Sequence, residues 1–313
     1  MKKFIFPAWL AGVMATWSYL IAIGPGLALY ATHWLYPLMM IGGAAVAGFT
    51  PEGGGAVAYP LLSLYTDLTP QIGRDFSLAI QAIGMISAAI YIITQKHRPI
   101  NFYRYVPLYV GINLLTFLVF SSLYSVLPIP LIQMLFVCLA VAFILSFWIT
   151  KQYGTDLNFI PDTRKKIIHT VIFCGIGGAT AALFGTGSDM LLYVLLSVYY
   201  KVREEEATDL SIITMGAVSL LATLYKAFII KDFAAPVYDM WLSAFPVVAI
   251  FAPLGNHLLR NIKKSYMLVF VLILNVFNYV YWSSNNTVLI IPSICVMIVM
   301  TLFFTHARFK HEV

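Results

Sequence analysis

The sequence predicts an all-α polytopic membrane protein, and three observations lead to that fold class. Of the 313 residues, 61% are hydrophobic and 10% are charged, whereas soluble domains carry about 25% charge. The apolar residues form continuous runs of about 20 residues, the length that an α-helix needs to cross a bilayer. A stretch of roughly 50 residues also recurs in the second half of the chain, which indicates an internal structural repeat.

The composition excludes several other classes. A mean hydropathy of +0.86 is incompatible with a water-soluble domain, and the continuous runs lack the period-two alternation of an outer-membrane barrel. The net charge of +6 is typical of basic cytoplasmic loops in a membrane protein, so we expect no nucleic-acid partner. The three cysteines lie inside apolar runs without metal-ligand spacing. We therefore expect no metal and no cofactor.

About eight apolar runs are long enough to be full spans. They cover residues 5–28, 76–95, 104–124, 128–150, 208–228, 236–256, 265–283 and 286–305. The first has a basic start, as a signal peptide would. Its apolar stretch continues past about 15 residues without a small-x-small cleavage site, and we interpret it as an uncleaved span.

An internal repeat organises the chain. Residues 41–65 align with 176–199 with a one-residue gap, and each copy holds an apolar run that is broken at glycine. The first break reads TPEGGG between arms 35–49 and 56–66, and the second reads GTGSD between arms 167–184 and 190–200. Further matched pairs follow each break: Asp75 with Asp209, Ser77 with Ser211 and Tyr91 with Tyr225.

The placement of basic residues predicts that each broken segment is a re-entrant hairpin. With hairpins, every Lys and Arg except Arg74, Lys226 and Lys231 falls on one side, which the positive-inside rule makes the cytoplasm. Both termini are then cytoplasmic. Three spans separate the hairpins, so the second hairpin enters from the opposite face. This is an inverted-topology repeat, an architecture of secondary transporters.

The predicted organisation has three parts. Residues 1–150 hold the N-terminal helix and the first repeat with hairpin 35–66. Residues 151–166 form a cytoplasmic linker. Residues 167–313 hold the second repeat, with hairpin 167–200, and the C-terminal helix.

The glycine breaks are candidates for an anion site. Irregular backbone at membrane depth must be buried in protein or line a cavity, and the helix that follows a break presents free N–H groups. The candidate substrate-binding residues at the breaks are Gly53, Gly54, Gly55, Gly185, Thr186, Gly187 and Ser188. For glycines inside the first arms (Gly42, Gly43, Gly177, Gly178), close helix packing is the preferred interpretation.

Glu52 and Asp189 are the acidic residues at mid-membrane depth, where ionisable groups usually mark function. Three roles remain open: proton carriage, because desolvation favours a protonated carboxyl; coordination of a cation such as Na⁺; or capping of the following helix. A permanent negative charge would repel an anionic substrate. A protonatable coupling group therefore fits an anion transporter better.

Other polar residues follow each hairpin. Ser77, Ser211 and Gln81 are further substrate-binding candidates, since they lie inside the next helix and can face the cavity. For Asp75 and Asp209 the preferred interpretation is helix capping. Arg74 is interpreted as a solvated loop residue.

The repeat motifs resemble those of the TauE/SafE sulfite exporter family, which belongs to the toluene-sulfonate uptake permease group. The resemblance lies in GFTPEGGGAVAYPLLSLY followed by RDFSLAI, and in FGTGSDMLLYVLLSVY followed by TDLSIIT. It implies transport of sulfite or small organosulfonates across the bacterial cytoplasmic membrane.

The resulting hypothesis is a proton-coupled secondary transporter of a small anion, with the substrate between the two hairpin tips. The alternatives are a Na⁺-coupled transporter of another anion and, more weakly, a membrane-embedded enzyme or assembly factor. The sequence holds no recognisable catalytic motif, so no enzyme activity is expected. The expected partners are the small anion and the lipid bilayer, and assembly into a homo-oligomer is left open.

Overall fold

The computed structural model describes residues 2–51, 53, 69–96, 98–150, 163–233, 235–258 and 264–309. The α-helices within these ranges are α1 (Lys2–Ile23), α2 (Leu29–His33), α3 (Leu35–Phe49), α4 (Pro70–Gln95), α5 (Val106–Ser121), α6 (Ile129–Thr150), α7 (Arg164–Phe184), α8 (Ser188–Val194), α9 (Glu204–Leu224), α10 (Ala235–Leu258), α11 (Lys264–Asn285) and α12 (Ile290–Phe309). π-Helical turns extend α8 over Leu195–Tyr199 and α9 over Tyr225–Ile230.

The prediction of an all-α polytopic membrane protein is confirmed. Within the described ranges, eight helices are long and apolar enough to cross a membrane. Seven of them correspond to predicted spans, and the eighth is α7, the first arm of the second broken segment. The remaining predicted span, 265–283, is the 22-residue helix α11.

The second broken segment folds back on itself, as predicted. After the break at Gly185, α8 and its π-helical extension hold seven and five residues. Their combined rise of about 18 Å is shorter than the roughly 30 Å hydrocarbon core. The Tyr200 hydroxyl then lies 2.5 Å from Thr170 Oγ1 and donates to the Lys166 carbonyl at 2.6 Å. The chain has therefore returned to the beginning of α7, which is the geometry of a re-entrant hairpin.

The first broken segment begins in the same way. Helices α2 and α3 together run over residues 29–49, which the repeat alignment places on α7 at 164–184. The second arm of this segment, 56–66, lies outside the described residues.

The predicted linker 151–166 ends in a helix. The N-cap Thr163 accepts a hydrogen bond from the Lys166 N–H and starts α7 at Arg164. The last three residues of the predicted linker 151–166 are therefore helical, and 151–162 lie outside the described part.

The two repeats interlock through matching helices. The first arm of each hairpin packs on a helix of the other repeat: α3 on α10, and α7 on α5. Helices α4 and α9, which are equivalent in the two repeats, pack against each other. They are antiparallel, because Asp75 near the start of α4 meets Lys226 beyond the end of α9, while Lys96 at the end of α4 meets Asp209. Opposite directions of equivalent helices are what an inverted repeat requires.

Glycines allow both first arms to approach their partners closely. A β-carbon on Gly178 of α7 would fall well inside van der Waals contact with the Asn113 carbonyl of α5, and one on Gly48 of α3 would clash with the Ala252 carbonyl of α10. The packing interpretation holds for Gly178. It does not hold for Gly42, where an added β-carbon would meet nothing within 4 Å.

Candidate functional site

The tip of the first broken segment touches the tip of the second. A β-carbon built on Gly53 would lie 2.5 Å from Asp189 Oδ2 and 3.1 Å from both Gln81 Oε1 and Thr186 Oγ1. Gly53 belongs to the first repeat, Thr186 and Asp189 belong to the second, and Gln81 extends from α4. The fold therefore brings residues predicted at both breaks, and the predicted inward-facing Gln81, into one buried site, which we call the junction.

Left-handed glycines shape this junction. Gly185 ends α7 with φ 75°, Gly187 follows with φ 105°, and Gly53 has φ 65°. Residues other than glycine are strained in this left-handed region of backbone φ and ψ angles. These glycines turn the chain sharply enough for α8 to start beside the end of α7.

Asp189 has two different carboxylate oxygens. Its Oδ1 accepts hydrogen bonds from the Gly187 and Met190 N–H groups, at 3.2 and 3.0 Å. This oxygen satisfies donors at the start of α8, although the N-cap of that helix is Gly187 and Asp189 is its second residue. The Oδ2 atom faces the junction, where it is buried without a hydrogen-bond partner among the described residues. The donors at the start of α8 therefore account for only one half of the carboxylate.

Gln81 and Ser77 hold the second break in position. The Gln81 amide donates to the Gly185 carbonyl at 2.9 Å and to Ser77 Oγ at 2.7 Å. The Ser77 hydroxyl donates to the same carbonyl at 3.1 Å. The end of α7 is thus tied to α4 by two hydrogen bonds, while the third joins Gln81 to Ser77 within α4, and the Ser77 hydroxyl is occupied in this conformation.

Three oxygens at the junction are left unsatisfied within the described structure. They are Asp189 Oδ2, Gln81 Oε1 and Thr186 Oγ1, and each belongs to a side chain that is at most 2% exposed. Buried polar atoms are normally hydrogen-bonded. Gln81 Oε1 can only accept a hydrogen bond, and Asp189 Oδ2 can only accept while the carboxyl is ionised. A proton on Asp189 or a bound cation would therefore satisfy these oxygens.

Other predicted site residues lie elsewhere or are engaged. Ser188 donates its hydroxyl to Asn113 Oδ1 at 2.7 Å, so it faces α5 rather than the three oxygens. Ser211 is buried, and its hydroxyl donates to the Thr208 carbonyl of its own helix. Glu52, Gly54 and Gly55 lie outside the described residues.

Asn113 is a site residue that the sequence analysis missed. It is fully buried on α5, accepts from Ser188 and donates its amide to the Tyr109 carbonyl at 2.8 Å. A β-carbon on Gly177 would also lie 2.7 Å from its Oδ1. The available signal was a lone amide within an apolar span, which usually bonds to another helix.

Replacing Asn113 with alanine should loosen the second hairpin. The Ser188 hydroxyl would lose its buried acceptor, and such losses cost about 1–3 kcal/mol. We expect a lower thermal unfolding temperature in detergent, measured by intrinsic fluorescence. Asn101→Ala, at an exposed position, is the control and should not change it. Equal unfolding temperatures for Asn113→Ala and wild type would show that Asn113 does not hold the hairpin.

The capping interpretation of Asp75 and Asp209 is wrong. Helix α4 begins five residues before Asp75, at Pro70, and α9 begins at Glu204. Both aspartates therefore lie inside helices, where they form ion pairs between the repeats. Arg74 is also not a solvated loop residue: it is 3% exposed and donates from Nε to Asp75 Oδ1 at 2.8 Å.

No group of three His, Cys, Asp or Glu side chains is arranged for a metal ion in the described ranges. The junction instead combines a carboxylate, an amide carbonyl and a hydroxyl, which are oxygen ligands of the kind that hard cations prefer. Chemically, it can hold a proton or a small cation close to the backbone of both breaks.

Comparisons with known proteins agree with this architecture. A family model described as sulfite exporter TauE/SafE matches residues 35–281, from the beginning of α3 to the last turn of α11. Searches of curated proteins and of solved structures each find no match. The matched region contains both broken segments and all the residues that form the junction. The chain therefore belongs to the TauE/SafE sulfite exporter family.

Proposed function

We propose that the protein is a proton-coupled secondary transporter of sulfite or a small organosulfonate. The observation that carries the proposal is the convergence of both hairpin tips on the unsatisfied Oδ2 of Asp189, in a chain whose family is one of membrane exporters of sulfite or related anions. The distribution of basic residues supports a bacterial cytoplasmic membrane location with both termini in the cytoplasm.

In this proposal Asp189 decides when the anion can bind. An ionised carboxylate without a counter-charge is costly to bury, and it would repel a sulfur oxyanion at the junction. A proton on Oδ2 removes the charge and provides an O–H donor for Gln81 Oε1, Thr186 Oγ1 or the substrate. Binding of the anion and binding of the proton therefore favour each other, which is the requirement for coupled transport.

The anion itself would be held by backbone and hydroxyl groups at the breaks. The Thr186 hydroxyl has no partner among the described residues, and the glycines let an oxyanion approach the main chain. The Ser77 and Ser188 hydroxyls and the Gly187 N–H have internal partners. They would contribute only after the hairpin moves, as it would during alternating access.

A Na⁺-coupled mechanism is the second candidate, and a specific observation favours it. The three unsatisfied oxygens all lie around one point beside Gly53. Na⁺ bound there would neutralise Asp189 as a proton does. The two candidates differ in which ion gradient drives the substrate.

The test is flux of labelled sulfite into proteoliposomes with purified protein. With an imposed pH gradient, wild type should give saturable accumulation well above that of empty liposomes, and a Na⁺ gradient alone should not. A competition series with organosulfonates then ranks the substrates. We expect Glu52→Gln to shift the pH dependence of flux, because Glu52 is the second carboxyl assigned to coupling.

Each arm of this experiment has an outcome that would contradict the proposal. Accumulation driven by Na⁺ and indifferent to pH would establish the second candidate. Sulfite flux no faster than through empty liposomes, in either gradient, would remove sulfite as the substrate. The organosulfonates and carboxylate anions would then be tested in the same vesicles.

A further inference from the structure

Two clusters of buried charges join α4 to α9 at opposite ends. The first is the Asp75 cluster, formed by Arg74, Asp75 and Lys226. Asp75 Oδ1 lies 2.8 Å from Arg74 Nε and 3.0 Å from Lys226 Nζ. The side chains of Asp75 and Lys226 are 0% and 5% exposed. This cluster therefore links the first repeat to the second through buried side chains.

The Asp209 cluster lies at the other end and is formed by Lys96, Arg98, Glu206 and Asp209, with the half-exposed Glu205 at its edge, 3.4 Å from Lys96 and 3.2 Å from Arg98. Lys96 Nζ lies 2.5 Å from Asp209 Oδ1, and Arg98 Nη2 lies 3.2 Å from Asp209 Oδ2. Arg98 also reaches Glu206 at 3.1 Å. The cations come from the first repeat and the carboxylates from the second, which is the reverse of the Asp75–Lys226 pair.

The two clusters are related by the internal repeat. Asp75 and Asp209 occupy equivalent positions in the repeated sequence, and each pairs with a lysine near the end of the other repeat's helix. Asp75 and Lys96 are 21 positions apart in α4 and its C-cap, which corresponds to about 31 Å along a helix. That length matches the hydrocarbon thickness of a bilayer. The clusters therefore lie near opposite faces of the membrane.

Between the clusters, α4 and α9 touch at a glycine. A β-carbon on Gly216 would lie 3.0–3.2 Å from backbone atoms of Met85 and Ile86. Met85 is almost midway between Asp75 and Lys96. A close backbone contact in the middle, with ion pairs at both ends, allows two helices to rock so that one end opens while the other remains closed.

We propose that the Asp75 and Asp209 clusters are the two gates of the transporter, broken one at a time during transport. The Asp75 gate lies next to the junction, because the Arg74 carbonyl packs against Gly185. Both gates are formed in the structure, so it corresponds to a state closed at both ends. This inference rests on the proposed transport function, but its test needs no substrate.

Burial makes these pairs suitable as gates. Removing Asp75 or Asp209 takes away the buried partner of a lysine and leaves it only a solvent-accessible carboxylate, Asp232 for Lys226 and Glu205 for Lys96. The buried lysine then favours any arrangement that hydrates it. Opening the end of the helix pair admits water to that charge. A neutralising substitution in one gate should therefore open that end and leave the other end closed.

The experiment measures thiol labelling in nanodiscs, where both faces of the protein are accessible. Cys138, Cys174 and Cys295 are first replaced by alanine or serine. Ala222→Cys, one turn before Lys226, then reports on the Asp75 gate, and Ala207→Cys, two residues before Asp209, reports on the Asp209 gate. Both positions are fully buried in the closed structure.

We expect Asp75→Asn to accelerate labelling of Ala222→Cys by a membrane-impermeant maleimide at least about tenfold, because it leaves the buried Lys226 with only the exposed Asp232 as a partner. Labelling of Ala207→Cys should not change. Asp209→Asn should produce the reverse pattern. Asp232→Asn is the matched control: its side chain is 58% exposed and lies 3.9 Å from Lys226, so labelling at both positions should remain at wild-type rates.

Two outcomes would overturn the gates. If either substitution accelerates both reporters equally, the charges only stabilise the fold; if neither reporter responds, the clusters do not control access. Lys226→Gln replaces Asp75→Asn if that variant is not monodisperse. If labelling is end-specific but sulfite flux is absent, the proposed substrate is contradicted and the proposal of the gates is not. Flux without end-specific labelling would contradict the gates alone.

Discussion

Asp189→Asn is expected to abolish gradient-driven transport while leaving the protein folded. The asparagine carbonyl can still accept from the Gly187 and Met190 N–H groups, as Oδ1 does now. Its amide can donate to Gln81 Oε1 and Thr186 Oγ1, which have no partner in the described structure. The variant therefore imitates the protonated carboxyl permanently and can no longer pick up or release the coupling ion.

The measurement separates coupling from binding. Uptake driven by an imposed pH gradient should fall to the level of empty liposomes, while exchange of labelled for unlabelled sulfite at equal concentrations should persist. Unfolding stability should remain within about 1 kcal/mol of wild type. Asp232→Asn, at an exposed position, should retain full coupling. Gradient-driven uptake by Asp189→Asn would show that Asp189 does not carry the coupling ion.

Gly178→Ala is expected to prevent correct assembly of the second hairpin. A β-carbon there would overlap the backbone carbonyl of Asn113 and the Thr116 hydroxyl oxygen. Overpacking usually costs about 1–3 kcal/mol, and here the obstacle is backbone, which cannot rotate away. Helix α7 would have to move off α5. We expect little monodisperse protein on size-exclusion chromatography and a lower unfolding temperature for the remainder.

The internal repeat provides a control. Gly42 belongs to the first copy of the same IGGA motif, but an added β-carbon there has open space. Gly42→Ala should therefore express and elute like wild type. If Gly178→Ala behaved like Gly42→Ala, the close approach of α7 to α5 would not be required for folding.

Much of the architecture follows from the sequence. Long apolar runs have no stable alternative to helix in a bilayer, because backbone groups there must bond within the segment. The breaks at 50–55 and 185–189 follow from glycine and polar residues that interrupt those runs. The repeat itself predicted that Asp75 and Asp209 would occupy equivalent places. These features depend on local composition and periodicity, which a single sequence records completely.

Polar contacts between distant segments were less predictable. Because Asp75 and Asp209 lie near the predicted helix starts, the sequence suggested that they cap those helices and that Arg74 is exposed to solvent. In the structure α4 and α9 start earlier, and all three side chains are buried. The role of Asn113 depends on α5 lying against the second hairpin. Such pairings are set by how helices pack, because side chains more than 70 residues apart carry no mutual signal in one sequence.

The sequence by itself determined that this protein is a helical membrane protein with two glycine-broken repeats of opposite orientation, since hydrophobic length, charge bias and self-similarity each have one physical solution in a bilayer. Only the tertiary structure decided which oxygens remain unsatisfied beside Gly53 and which charges pair across α4 and α9. Those properties arise from distances between helices, and close packing alone sets those distances.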